Sequence, residues 1–331
     1  MKTPTPIAEI TGTGRFLPDN IVTNDDLAEK LDTSDEWIHS RTGISERRIA
    51  PDGMFTAHLG AEAAKAAMTE AGVEPGEVDI LIVSTATPDR WLPSTACDIQ
   101  AVLGCKNAVA FDLMAACTGH IYALSMAEGY IAAGRAEVAL VVAAEKMSAI
   151  VDWSDRTTAV LFGDGGGAAV LRPCNGSGRG ILSSHLQSDG NLADLLYRPG
   201  GGAIDPVSQS VLDEGRHLMR MHGREIFKNA VRSMAEACDI AMNKAGLTAN
   251  DIDLLVPHQA NIRIIEATAK YAGIPMDKVF VNVEKYGNMS SATVPVAFDE
   301  AREQGRVVPG SNVLTVAFGA GLTWGAMALR M

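Results

Sequence analysis

Aromatic side chains are scarce in this chain, 5% of 331 residues, while glycine is plentiful at 32. A core of that make-up closes through small residues where helices meet strands, which suits an α/β protein. With 47% hydrophobic and 21% charged residues, the chain is long enough for two domains or one duplicated domain. Basic charge is also in short supply. Lys and Arg number 28 against 40 Asp and Glu, a net charge of −12, and no basic run occurs. That balance argues against a general nucleic-acid surface and against a polybasic membrane patch.

No apolar run reaches the roughly 18 residues of a membrane span. The opening MKTPTPIAEITGTGRFLPDN has a short apolar run broken by Glu9 and Thr11, so it reads as a first strand and turn rather than a signal peptide. The five cysteines, Cys97, Cys105, Cys117, Cys174 and Cys238, are odd in number, scattered and without a CxxC pair. They argue against a disulfide framework and a zinc site, and they point to a reducing, cytoplasmic setting.

What the chain does contain is an echo of itself. AMTEAGVEPGEVDILI (67–82) and AMNKAGLTANDIDLLV (241–256) match at an offset of 174. Both read as the end of a helix, a Gly stop, a short loop and a buried strand. FDLMAACTGHIYALSMAEGYIAAGR (111–135) pairs with NVEKYGNMSSATVPVAFDEAREQGR (282–306) at offset 171, each strand-like, then a small-residue turn, then a helix ending in Gly-Arg. VALVVAAE after Glu137 parallels VLTVAFGA after Asn312 at offset 175. Two α/β halves follow, about 1–175 and 176–331, with mainly parallel sheets covered on both faces. GDGGGAA after Phe162 lacks the Lys and Ser/Thr of a P-loop and reads as a close-packed turn. The stretch 188–216 reads as a surface excursion.

Ligands of open α/β sheets gather at the carboxyl ends of strands, beside helix N-termini. Cys117, His258 and Asn288 each stand between a strand-like run and a helix-like one. Under the repeat, Cys117 and Asn288 occupy equivalent turns that face each other across a pseudo-twofold axis. A helix N-terminus favours thiolate at Cys117, and its small neighbours leave the sulfur accessible. A packing cysteine fits the same turn, as does a Cys–His pair with His120 three residues on. The face that His120 shares with Leu124, Ala127 and Ile131 is apolar, which favours core lining over a general base. His258, in PHQAN, is better placed. FGAGLTWG offers turn amides suited to an oxyanion.

These residues, with GTGRFLP, TSDEWIHSRTGISERR, AACTG, FGDGGGAAVL, VPHQANIRI, YGNMSSATVP and FGAGLTWG, run along essentially the whole chain. Together they resemble the β-ketoacyl-[acyl-carrier-protein] synthase III family, the initiating condensing enzymes of type II fatty acid synthesis. PHQAN with YGN is the most specific part, since the condensing enzymes of chain elongation use Cys-His-His. The resemblance implies a thiolase-like duplicated αβαβα fold, a homodimer, acyl carrier protein as partner, and coenzyme A thioester as substrate, with no cofactor and no metal. It implies Cys117 as the nucleophile toward a short acyl-CoA. His258 and Asn288 would donate to the thioester oxygen of malonyl-acyl-carrier protein as CO₂ leaves. The amides of Cys117 and Ala320 would hold the tetrahedral oxyanion. Ala320 stands where the family has the middle glycine of FGGG, and a left-handed conformation would suit alanine poorly.

The same resemblance puts Trp37 and Arg156 on the adenine of coenzyme A, with Thr33 and Arg41 nearby. Phe227 would line the pantetheine tunnel and Asn261 would bond to the pantetheine arm. Lys228 and Arg263 would meet the acidic carrier protein, with Gln259, Ala260, Asn261 and Ile262 completing the docking edge. AACTGH replaces the more usual ACAGF, which sets Thr118 and His120 beside the nucleophile. Leu92 falls at the dimer-interface position that limits primer length, so a short primer, branched ones included, is expected. Three competing readings stay open at this point. One is a homologue in quinolone or polyketide-type secondary metabolism; another is a hydrolase whose Asn orients a basic His; the third is a non-catalytic carrier-binding scaffold.

Overall fold

The structure, a computed structural model, describes residues 4–331. One sheet contains β1 (Ala8–Phe16), β2 (Ile80–Ser84), β3 (Val109–Leu113), β4 (Ala139–Lys146) and β5 (Asp164–Pro173), in the order β1-β5-β4-β2-β3. The other contains β6 (Gly180–Ser188), β7 (Leu254–Pro257), β8 (Asn312–Gly319) and β9 (Thr323–Arg330), in the order β6-β9-β8-β7. Strand for strand the two orders correspond, so the echo in sequence is an echo in topology. The strand expected from VFVNV is reduced to one bridge between Val279 and Leu255. The side-chain amide of Gln259 donates to the Phe280 carbonyl and accepts from the N–H groups of Asn282 and Val283, taking the place of a neighbouring strand.

Parallel pairing joins β2 to β3 and β4, and β7 to β8. The other pairings, β1 with β5, β4 with β5, β8 with β9 and β6 with β9, are antiparallel. The sheets are therefore mixed, and parallel pairing dominates less than the strand–helix alternation implied. The last two strands of each half return directly on one another without a crossover helix.

The helices that matter for the site are α1 (Asp35–Thr42), α2 (Thr56–Ala71), α3 (Thr95–Leu103), α4 (Gly119–Ala132), α5 (Gly223–Ala245), α6 (Ile262–Tyr271) and α7 (Thr293–Glu303). Helices α2 and α3 cover the outer face of the first sheet, and α5 and α6 that of the second. Between the sheets lie α4 and α7, giving the five layers αβαβα. The middle cluster joins Ile121 and Leu124 of α4, Val294 and Phe298 of α7, Ile82 of β2 and Val256 of β7. The halves thus share one central core even though their sheets separate between Pro173 and Gly180. As the echo predicted, α2 and α5 both stop at a left-handed glycine, Gly72 at φ 61° and Gly246 at φ 69°.

GDGGGAA is not a turn but the start of β5. A β-carbon on Gly166 would lie 2.5 Å from the carbonyl oxygen of Leu59 in α2, and one on Gly167 would lie 2.8 Å from Pro295 in α7. The glycines let a helix press on each face of the same strand. The scarcity of aromatic residues fits this close layering. No helix among the described residues is long and apolar enough to cross a membrane.

Candidate active site

Strand β3 delivers the chain to a sharp elbow before α4. Ala116 takes φ 45° there, and Ser290 takes φ 47° just before α7. Among the described residues these are the two non-glycine positions with positive φ. Such backbone costs of order 1–3 kcal/mol and persists only where the surroundings hold it. Matching the two elbows shows that Cys117 corresponds to Ser291, not to Asn288 as the sequence echo suggested. The elbows keep the offset of 174, but α4 has 14 residues and α7 has 11, so aligning the helix ends misplaces the turns by three.

Cys117 is buried, and its Sγ lies 3.5 Å from Oγ of Ser290. The N-terminus of α4 favours a thiolate, as the sequence implied, but burial prevails and pushes the thiol up to about 12. The hydrogen bond with Ser290 opposes that rise, and the carboxylate of Glu145 adds to it. Glu145 is fully buried at the end of β4. It accepts hydrogen bonds from Thr85 Oγ1, Ala86 N–H and Thr87 Oγ1 on one side, and from Ser291 N–H and Oγ on the other. It ties the loop after β2 to the elbow of the second half.

His258 follows β7, which hands its ring to the site. It is buried, and desolvation lowers its pKa to about 3, so the imidazole is neutral. Its Nδ1 is 2.5 Å from Oγ1 of Thr293, while Nε2 has no hydrogen-bond partner among the described residues. Oδ1 of Asn288 accepts the N–H of Ser290 at 2.8 Å. Because a backbone N–H can only donate, this bond fixes which end of the amide is oxygen and leaves Nδ2 free to donate. Cys117, His258 and Asn288 all line one cavity of about 740 Å³.

Ala320 lines the same cavity and does not have positive φ, so alanine at this position is unstrained. Its neighbour Gly319 is the residue that must lack a side chain, since a β-carbon there would lie 2.7 Å from the N of Cys117. Trp37, Arg41, Phe227 and Asn261 line the cavity as well. Arg41 stacks on the Trp37 ring at 4.5 Å and Arg156 at 5.1 Å. A flat base between Trp37 and Arg156 needs about 7 Å, two van der Waals spacings, so Arg156 occupies the place expected for adenine. It is held there by the Asp32 carbonyl at 2.6 Å and the Asp32 carboxylate at 3.4 Å. Thr33 lies on the same loop but does not line the cavity.

The expected docking edge divides. Arg263 and Lys228 are exposed, and Arg263 donates to the Ser40 carbonyl. Ala260 and Ile262 are partly buried, and Ile262 packs over Gly43. Asn261 caps α6 by accepting from Arg263 N–H and donates to the Arg41 carbonyl. Gln259 is 1% exposed with its amide spent on backbone, so it is a structural residue and not a docking one. The expected primer-pocket pair also fails within the single chain. Leu92 is 86% exposed and His120 is buried in the face of α4 with Ile121, Leu124 and Ile131, and neither lines the cavity. Trp91 lines it instead. Ser290 and Thr293 lie inside YGNMSSATVP without being singled out by it, and Glu145 carried no sequence signature. Carrying the offset of 174 from the first matched pair through the elbows would have singled out Ser290.

A duplicated five-layer fold that brings a cysteine elbow, a neutral histidine and an oriented amide to one cavity is that of a thiolase-like condensing enzyme. Family models for 3-oxoacyl-[acyl-carrier-protein (ACP)] synthase III match residues 111–190, and for its C terminal part residues 242–331. The chain belongs to the β-ketoacyl-[acyl-carrier-protein] synthase III family. The member from Symbiobacterium thermophilum is 51% identical over 321 residues, 97% of each chain. The crystal structure of 3-oxoacyl-[acyl-carrier-protein] synthase III from Aquifex aeolicus matches with a TM-score of 0.90 at 46% identity, over 98% of this chain and 100% of that one. The priming β-ketosynthase of the R1128 polyketide pathway matches with a TM-score of 0.91 at 36% identity, over 100% and 98%.

Proposed function

We propose that this chain initiates fatty acid synthesis, loading an acyl group from a short acyl-CoA onto Cys117 and condensing it with malonyl-acyl-carrier protein. The observation that carries this reading is the convergence of Sγ of Cys117 with two neutral side chains, His258 and Asn288, in a cavity that also reaches Trp37 and Arg41. The Cys117 thiolate attacks the thioester carbon. Coenzyme A leaves and is protonated, so the proton lost by the cysteine is balanced. The malonyl thioester then loses CO₂, and the electron pair of the broken C–C bond develops on the thioester oxygen. His258 and Asn288 donate to that oxygen. The enolate carbon attacks the acyl group, the C–S bond breaks, and Cys117 regains a proton from solvent.

Two features support this reading over the competing ones. Asn288 makes no hydrogen bond to His258, since its Oδ1 is held by Ser290, so it does not orient a base as in a hydrolase. Identity to the synthases III of Symbiobacterium thermophilum (51%) and Aquifex aeolicus (46%) exceeds identity to the polyketide priming enzyme (36%). The five cysteines are all free, which fits a cytoplasmic setting. Strand β3 is an unpaired sheet edge with Val109 exposed beside exposed Val102 and Met114. A second copy pairing along this edge would cover it and carry Leu92 toward the partner's site.

Intact-mass measurement with acetyl-CoA followed by CO₂ release from malonyl-acyl-carrier protein tests the proposal. His258→Ala and Asn288→Ala should still form the Cys117 adduct while losing roughly 10²–10³-fold in decarboxylation. Absence of an adduct with every acyl-CoA in a primer panel would overturn it.

A further inference from the structure

His258 has a buried partner outside the cysteine–histidine–asparagine cluster. Its Nδ1 meets Oγ1 of Thr293 at 2.5 Å, with His258 3% and Thr293 0% exposed. The buried ring is neutral, so it carries a single N–H, on one nitrogen or the other. A threonine hydroxyl has one proton to give, and two acceptors compete for it: Nδ1 of His258, and the Ser290 carbonyl at 3.1 Å. That carbonyl already receives the backbone N–H of Thr293 at the start of α7. Nδ1 is the nearer of the two acceptors, 2.5 Å against 3.1 Å, and has no other partner among the described residues. With the hydroxyl proton on Nδ1 the ring proton is left on Nε2, which also has no partner among the described residues.

We infer that Thr293 is a positioning residue that locks His258 in the Nε2–H tautomer and so makes it a hydrogen-bond donor rather than a base. The first half lacks this device. The position matching Thr293 is Gly119, where any β-carbon would collide with Ser84. One elbow carries the nucleophile and the other carries the hydroxyl that sets the histidine. The consequence for catalysis rests on the proposed function: Nε2–H serves the enolate oxygen during decarboxylation, and the proton of Cys117 leaves by another route.

The test uses the full chain labelled with ¹⁵N-histidine, the His258 signals being assigned by their loss in His258→Gln. The wild-type protein should show a pyrrole-type Nε2 and a pyridine-type Nδ1. Thr293→Val should mix or reverse that pattern and slow malonyl decarboxylation about tenfold or more, while Cys117 acetylation changes far less. Thr293→Ser, which keeps the hydroxyl, should restore both readouts. A protonated Nδ1 in the wild type overturns the inference, as does Thr293→Val with an unchanged tautomer and full decarboxylation. If Thr293→Val does not fold, the wild-type spectrum and Thr293→Ser still decide. The spectrum needs no substrate, so a failure of acylation would count against the proposed function and not against the tautomer.

Discussion

Ala116 and Ser290 hold the same left-handed backbone, φ 45° and 47°, at matching elbows, and Ser290 brings its hydroxyl 3.5 Å from the sulfur of Cys117. Burial pushes that thiol up to about 12, so only a small fraction is thiolate near neutrality. Acetylation of Cys117 should therefore climb about tenfold per pH unit between about pH 6 and pH 9. Ser290→Ala removes a hydrogen bond that opposes the rise, and should slow acetylation several-fold at fixed pH. Single-turnover mass spectrometry reads both, and a profile that levels off near pH 7 would contradict the argument.

Glu145 is a buried carboxylate held by five donors among the described residues, none of them a cation. Glu145→Gln turns an NH₂ group toward the backbone N–H of either Ala86 or Ser291, neither of which can accept, and should cost about 2–3 kcal/mol in urea unfolding. It also removes a negative charge that opposes the thiolate. The pH profile of Cys117 acetylation should accordingly move to lower pH, and a shift to higher pH would be the wrong sign.

His120 and His258 are both lowered by burial to about 3 from the usual 6.5. In the unfolded chain each takes up a proton as pH falls below 6.5, whereas the folded protein does not until about 3. Stability present above that window is lost within it, about 2 kcal/mol per group by about pH 5. His120→Phe should make the loss between about pH 7.5 and pH 5 smaller by that amount. Equal losses in variant and wild type would show that His120 is charged or hydrated in the folded state.

Trp37 has Arg41 and Arg156 on its ring, and Arg156 must move before a base can stack there. Trp37→Ala should raise KM for acetyl-CoA roughly tenfold and leave kcat nearly unchanged, as expected for binding shared by ground and transition states. Asp32→Ala frees Arg156 from the carboxylate, though not from the backbone carbonyl, and should lower KM modestly. Steady-state kinetics with saturating carrier protein separates the two.

Much of the site was legible before any coordinates. Cys117, His258 and Asn288 were marked by the same local grammar, a strand end followed by a helix start. It holds at Cys117 and His258, where sheet and helix form from near neighbours, but the strand expected before Asn288 is reduced to one bridge. What local grammar could not carry was side-chain fate. Gln259 sits inside a docking-like motif, yet its amide is spent on Phe280, Asn282 and Val283, which lie some twenty residues away in sequence. The triple glycine in FGDGGGAA looks like a turn in one dimension. It is a strand because α2 and α7, far apart in the chain, press on its two faces.

The sequence by itself determined the duplication, the two helix stops at Gly72 and Gly246, and the three side chains that meet in the cavity. The first two follow from repeated pattern and turn chemistry; the three side chains were marked by their strand-to-helix setting and assigned by resemblance to the synthase family. Only the tertiary structure decided the charge states and hydrogen-bond directions. The high thiol pKa of Cys117 and the neutrality of His258 come from burial, and Cys117 also feels Ser290 of the other half. The Asn288 amide is instead oriented by the N–H of Ser290 two residues on, inside an elbow held by the fold. Those quantities depend on which groups are removed from water together, and that is settled when the two sheets close on their shared core.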